Sequence, residues 1–273
     1  MKYPKTLHFA LLLQIMVITS CKAQIDTLVH PIQPTSEIVA DTLVSMPDVA
    51  WDIDYIMGKF DPVTHPDFVV IPAKYRDNEV RYLRKDVLEA FVRMHDAALK
   101  DGIKLTIISA TRNFDNQKRI WENKWTGKTQ LSDGVNAFRD IPDPLSRARK
   151  ILQYSSMPGT SRHHWGTDID LNNLNNAHFT KGDGLKMYQW MQAHAHEYGF
   201  CQPYTAIGTD RNTGYFEEKW HWSYMPIAAI LTEQVKLHIK NEMISGFHGA
   251  ETVGKIDMLN NYMLGISPVC QLR

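Results

Sequence analysis

The sequence predicts an α+β fold. Amphipathic helical stretches alternate with single short apolar strands, at residues 104–109, 167–171 and 219–224, and no regular βαβ repeat joins them. At 273 residues the chain can bury roughly 70–75% of its unfolded surface, so it needs no disulfide framework. Its composition is globular, 44% hydrophobic and 22% charged. This excludes a disordered chain, a collagen-like chain and a multi-span membrane protein.

The elements follow from local signals. Between residues 83 and 99, Leu88, Phe91, Val92, His95 and Leu99 share one helical face, and Asp101-Gly102 ends it. His95 on that face reads as a core or boundary histidine. An Ile-rich strand follows at 104–109. A helix is expected over 115–125, broken by Gly127. Asp143-Pro144 is an N-cap followed by proline at the first helical position, and its helix should reach about residue 154. A loop, SSMPGTSR, precedes the strand at 167–171. Residues 172–184 read as polar loop, and 185–198 as a helix closed by Gly199. After a loop carrying Gly208 and Gly214 comes the strand at 219–224. Pro226 then opens a last helix towards Met243, closed by Gly246.

The beginning of the chain reads differently. Lys2 and Lys5 precede an apolar run from Leu7 to Thr19, too short for a membrane span and suited to a secretory signal peptide over 1–20. Ile18-Thr19-Ser20-Cys21 resembles the lipobox of bacterial lipoproteins. That resemblance implies lipidation of Cys21, an exported chain, and a lipid anchor to a bacterial membrane in the cell envelope. Residues 21–49, mixing Pro, Thr, Ser and Asp without a period, read as a flexible tether reaching roughly 30 Å. Export permits a Cys201–Cys270 disulfide, and two free thiols fit the sequence equally well.

Thirty Lys and Arg balance thirty Asp and Glu. This argues against a nucleic-acid partner, which draws a basic excess. Most of the twelve histidines offer no chemistry. His194 and His196 lie two apart on an expected helix and diverge. His8 sits in the signal, and His30, His65, His178, His238 and His248 stand alone. Two segments differ. In Ser161-Arg162-His163-His164-Trp165-Gly166-Thr167-Asp168-Ile169-Asp170, Gly166 allows a tight bend, and Asp168 and Asp170 share a strand face. In Glu217-Glu218-Lys219-Trp220-His221-Trp222-Ser223-Tyr224 a histidine on an aromatic strand follows two carboxylates. Two imidazoles and a carboxylate are a catalytic zinc's three protein ligands, and a further carboxylate can serve as base. Buried structural histidines among tryptophans are the competing reading.

These segments resemble a known family. The first resembles the S-x-H-x-x-G-x-A-x-D motif of VanY-type zinc D-alanyl-D-alanine carboxypeptidases, and the second their E-P-W-H-x-x-Y motif. Ser109-Ala110-Thr111-Arg112-Asn113-Phe114 with Gln117 resembles the S-G-Y-R-S-x-x-x-Q segment, and Tyr198-Gly199-Phe200 a further Y-G-F. The motifs occur in the family's order over about half the chain. The resemblance implies a Hedgehog/DD-peptidase-like fold, a small, mostly antiparallel sheet flanked by helices. A zinc peptidase domain would occupy 50–225 and a C-terminal helical extension 226–273. It implies Zn2+ as cofactor, held by His163, Asp170 and His221. Glu218 would be the catalytic base, and Arg112 the cation for the oxyanion or a substrate carboxylate. Ser161 and Gln117 would be substrate-pocket positions.

The implied substrate is the peptidoglycan stem peptide, with terminal D-alanine the leading choice. L,D-carboxypeptidase and stem-peptide endopeptidase activities share these motifs. A non-catalytic zinc-containing cell-wall binding module is an alternative from another class, and a Ser161–His163–Asp170 hydrolase a third. The departures from the family are Asp168 for its Ala, which places a second carboxylate beside Asp170, Lys219 for its Pro, and Ala110-Thr111 for its Gly-Tyr. Glu218 and His221 are three apart, so Glu218 must lie on a bend before the strand to face the same way. Of Trp165, Trp220 and Trp222, two are expected in the core.

Overall fold

A computed structural model describes residues 52–208 and 210–271. The signal segment 1–20, Cys21 and the tether 21–49 lie outside the described residues. Among the described residues no helix is long and apolar enough to cross a membrane.

A short helix α1 (Ile53–Ile56) leads into a hairpin of β1 (Phe68–Val70) and β2 (Tyr82–Arg84). Helix α2 (Lys85–Lys100) follows, then β3 (Ile107–Ser109), α3 (Phe114–Trp125), α4 (Ala137–Asp140) and α5 (Pro144–Ile151). Next come β4 (Asp168–Leu171), α6 (Gly182–His194), β5 (Phe200–Cys201), β6 (His221–Tyr224), α7 (Met225–His238) and α8 (Val253–Ile256). Strands β3, β4, β6 and β5, in that spatial order, form an antiparallel sheet. The fold is thus α+β with small antiparallel sheets, as the sequence predicts.

Local chemistry explains the element boundaries. Asn113 caps α3 by accepting from the Asn116 amide at 2.9 Å, and Asp143 caps α5 by accepting from Ser146 at 2.8 Å. Helix α5 ends at Ile151, sooner than expected from the sequence. Residues 172–184 are not only loop. A 3-10 turn forms at Asn176–Thr180, and α6 starts at Gly182.

The four-stranded sheet has two unlike faces because side chains alternate along a strand. Ile169, Leu171 and Trp222 face a core built with Phe91 and Met94 of α2 and Met187 and Met191 of α6. Asp168, Asp170, His221 and Ser223 occupy the opposite face, in register: Asp168 opposite Ser223 and Asp170 opposite His221.

A second core lies beyond that polar face. Trp121, Trp125, Ala148 and Ile151 of α3 and α5 pack there with Leu231 and Val235 of α7 and with Phe247, Ile256, Met258 and Met263. The segment after Pro226 therefore shares a core with α3 and α5, and the described residues form one compact unit. Cys201 and Cys270 form a disulfide that ties this segment to β5 across 69 positions of sequence. Closing a loop of that length restricts the unfolded chain, worth about 4 kcal/mol. The Cys201→Ser/Cys270→Ser double variant should therefore melt roughly 10 °C lower in a thermal denaturation. An unchanged melting temperature would show that packing alone holds the segment.

Candidate metal centre and cleft

The His163 side chain is presented by a 3-10 turn, Arg162–Trp165, that Gly166 terminates in the left-handed conformation (φ 70°). A Cβ on Gly166 would also collide with the Phe68 ring, so glycine is required twice over. His163 Nδ1 donates to the Ala110 carbonyl at 2.8 Å, which leaves Nε2 with a free lone pair 3.4 Å from Asp170 Oδ2. His221 Nε2 is occupied by Asp168 Oδ2 at 2.8 Å, which leaves Nδ1 facing Asp170 Oδ1 at 3.3 Å and Glu218 Oε2 at 3.1 Å. Ligand atoms of His163, Asp170 and His221 all lie within 4.8 Å of one another. Asp170 Oδ1 is buried and accepts no hydrogen bond among the described residues.

A buried carboxylate oxygen without a donor is costly. Here it sits among two imidazole nitrogens whose other ring positions are already committed. This donor set fits a divalent cation of borderline softness, with nitrogen and oxygen ligands and one side left open.

Asp168 plays a different part. Its Oδ2 accepts from His221 and from Arg162 Nε (3.1 Å), and its Oδ1 from Thr167 Oγ1 (2.6 Å) and Ser223 Oγ (2.9 Å). With four donors on two oxygens it has no capacity left for a metal, and it fixes the tautomer and ring plane of His221. Arg162 is itself buried. It bonds Thr232 of α7 and Ser223 of β6 and stacks over Trp165 at 4.6 Å.

The electrostatics follow this wiring. Burial disfavours a charged His221, but its hydrogen bonds to Asp168 and Glu218 outweigh that and raise it to about 9. Burial, then the nearby Arg112 charge, lowers His163. Burial would raise Asp170, yet His163 and the other cations hold it below the ordinary carboxylate range. Glu218 goes the other way, since burial pushes its carboxyl up.

Glu218 sits on a tight turn that ends where β6 begins, with the His221 amide donating to the Glu218 carbonyl at 3.2 Å. That bend turns both side chains to one face. Lys219, at the position of the family's Pro, donates its amide to Asn176 Oδ1 at 3.1 Å, and Asn176 Nδ2 donates to the Glu217 carbonyl at 2.7 Å. The Glu218 amide is held by the Tyr204 carbonyl at 2.9 Å.

Arg112 Nε donates to Gln117 Oε1 at 3.0 Å and Nη1 to Ser109 Oγ at 2.6 Å, while Asp170 Oδ2 is 3.8 Å away. Gln117 also donates to the Ser156 carbonyl at 2.7 Å, so it braces the arginine as well as lining the cleft. Ser161 is placed otherwise. Among the described residues its buried hydroxyl has no hydrogen-bond partner, and it is not part of the cleft wall. It is therefore paired with no histidine as a serine nucleophile would be.

His163, Asp170, Glu218, His221, Arg112 and Gln117 all border one cleft of about 560 Å³. All three tryptophans, Trp165, Trp220 and Trp222, are buried in the cores, and Trp220 also lines the cleft. His164 is structural. Its Nδ1 donates to the Arg112 carbonyl at 2.6 Å, its Nε2 accepts from Gly159, and burial lowers it to about 3. Sequence reasoning missed the bracing roles of Arg162, Asn176 and Ser109. Only Ser109, three residues before Arg112, lay where local spacing could have suggested it.

The model of the VanY family, described as D-alanyl-D-alanine carboxypeptidase, matches residues 80–227. The chain belongs to this family. Among curated proteins it is similar to the putative carboxypeptidase YodJ of Bacillus subtilis (strain 168), 29% identical over 177 residues, 62% of this chain and 55% of YodJ. The chain thus spans little more than half the length of that relative. An uncharacterized protein of Haemophilus influenzae is 26% identical over 91 residues, 33% of this chain and 61% of that protein. Among solved structures, the LdcB LD-carboxypeptidase is similar at 28% identity and a TM-score of 0.47, covering 65% of this chain and 76% of that one. A zinc-bound variant of the D,D-pentapeptidase VanY from the VanB-type resistance cassette is 24% identical with a TM-score of 0.42, covering 60% and 86%.

In this VanY-family chain, Asp168→Ala should weaken zinc binding about 10- to 100-fold, because the carboxylate that orients His221 is lost while all three candidate ligands remain. Competition with a chromophoric chelator measures this. An affinity equal to the parent's would mean that His221 is oriented without Asp168.

Proposed function

We propose that this chain is a zinc metallopeptidase that hydrolyses peptidoglycan stem peptides, foremost as a D-alanyl-D-alanine carboxypeptidase. The observation that carries the reading is the convergence of His163, Asp170 and His221 beside Glu218 and Arg112 in one cleft. The family's description supports the substrate class.

His163 and His221 would hold the zinc through their free nitrogens and Asp170 through its carboxylate. Bound zinc supplies a Lewis acid that lowers the pKa of a coordinated water and polarises the scissile carbonyl. Glu218 accepts the proton of the attacking water at its carboxylate and delivers it to the departing amine nitrogen, so that the amide C–N bond breaks to an amine and a carboxylate. Its burial, which raises its pKa, suits a group that must both take and return a proton. Arg112 is fixed by Ser109 and Gln117, and its guanidinium stabilises negative charge on the carbonyl oxygen or grips a carboxylate. A non-catalytic zinc module would have no use for a buried glutamate and a braced arginine in the same cleft.

Glu218→Gln should retain about one zinc per chain by elemental analysis yet lose about 10²- to 10⁴-fold in turnover of purified muropeptides. His163→Ala and His221→Ala should lower the zinc content. Mass spectrometry of the digests identifies the fragment lost. Release of one D-alanine from a pentapeptide stem supports the D,D-reading, and release from a tetrapeptide stem the L,D-alternative. Turnover by Glu218→Gln equal to the parent's would remove Glu218 as the base.

The proposal extends to location. The basic and apolar start of the sequence, ending at Cys21, supports export and lipid anchoring to a bacterial membrane in the cell envelope. Metabolic labelling with a fatty-acid analogue should mark the parent and not Cys21→Ser. Equal labelling of the two would rule out that anchor.

A further inference from the structure

Helix α3 turns Gln117, Ile120 and Lys124 towards the cleft, at i, i+3 and i+7 on one face. Two helical turns separate Gln117 from Lys124, about 10.5 Å along the axis. Helical side chains lean towards the N-terminus, which carries the lysine head back towards Gln117 and Arg112. Lys124 Nζ donates to Ser155 Oγ. The neighbouring Ser156 carbonyl receives Gln117, which in turn holds Arg112. Arg112, Gln117, residues 155–156 and Lys124 thus form one continuous stretch of cleft wall.

The charge on that wall is not balanced. Lys150, also in the cleft, is paired with Asp133 at 2.6 Å. Lys124 makes no ion pair among the described residues. Burial, then the repulsion of Arg112, lowers its pKa, and the Glu218 carboxylate offsets this only in part. Arg112 has Nε and Nη1 engaged, while Nη2 has no hydrogen-bond partner among the described residues. Two part-buried cations therefore border the same cleft as Glu218.

We propose that Lys124, with the Nη2 side of Arg112, grips the free C-terminal carboxylate of the substrate and so restricts this cleft to cleavage at the chain end. The inference rests on the peptidase reading above. A carboxypeptidase substrate ends in a carboxylate one residue beyond the scissile carbonyl. An endopeptidase substrate carries a neutral amide there, which would leave Lys124 without a counter-charge and Arg112 Nη2 without an acceptor.

The test uses the zinc-loaded full chain and two synthetic stem peptides, identical except that one ends in a free acid and the other in a carboxamide. The parent should favour the acid. Lys124→Met should lower the acid-to-amide ratio of kcat/KM about 10- to 100-fold, mainly through KM, and Lys124→Arg should recover most of it. On the parent alone, free D-alanine should inhibit competitively and D-alaninamide should not. Equal inhibition by the two overturns the proposal without recourse to any variant. So does a Lys124→Met ratio within about twofold of the parent's at equal zinc content. A zinc-loaded parent that cleaves neither peptide overturns the peptidase reading, and the proposal with it. A parent that cleaves both, with the ratio unmoved by Lys124→Met, overturns the proposal alone.

Discussion

The register between β4 and β6 is the constraint on which the rest of the structure depends. With Asp168 opposite Ser223 and Asp170 opposite His221, these four side chains fall on one face and Ile169 and Trp222 fall on the other. A slip of one residue would turn both aspartates into the apolar core and expose Ile169 to the cleft. The hydrophobic face therefore enforces the chemistry. Burial of Ile169, Leu171 and Trp222 against α2 and α6 fixes which carbonyls pair, and that pairing sets the distance between Asp170 and His221.

Such a face is expensive to bury, and the wiring shows how the cost is met. Asp168 is fully buried and ionised, and it is compensated by Arg162, two hydroxyls and His221. Arg162 is likewise buried and spends its remaining donors on Thr232 and Ser223. A buried pair of this kind contributes little net stability. What it does is orient: it locks one imidazole nitrogen of His221 so that the other points at Asp170 and Glu218. Those carboxylates, with Asp168 behind, create a site that favours positive charge, either a proton on His221 or a divalent cation. Metal binding in this family member would thus be linked to the loss of a proton from His221.

Much of this was legible in the sequence, for physical reasons that differ by element. Helix α2 announced itself by its apolar period, α5 by the cap Asp143 before Pro144, and α3 by the break at Gly127, though its true start and its cap Asn113 were not read. Strands β1, β2 and β5 did not, since two or three residues cannot display an alternation. The early end of α5 escaped notice because nothing local marks it. His163, Asp170 and His221, separated by up to 58 positions, meet in space as their motif positions imply. The bend at Glu218 followed from parity along a strand. The function of Asp168 did not, because its partners Arg162 and Ser223 come from a turn and another strand. Nor did the pinning of Lys219 by Asn176, which a polar stretch read as loop concealed. The pairing of Cys201 with Cys270 could not be read from spacing, since the C-terminal segment reaches β5 only through the second core.

That second core also bears on the cleft. Helices α3 and α5, which supply Gln117, Lys124 and Lys150 to its wall, have their opposite faces packed on the segment after Pro226. The disulfide fastens that segment at Cys201, one residue before Gln202, whose side chain bonds the Tyr204 and Glu218 carbonyls. The two sides of the cleft are therefore joined at one place. The base-bearing turn hangs from residues 202–204, and the cation-bearing helices rest on the chain that the disulfide secures there. A metal triad needs only the β4–β6 register. The positions of the arginine and the glutamate relative to a bound peptide need this second connection as well, which is why residues 225–270 are part of the working unit although no candidate ligand lies among them.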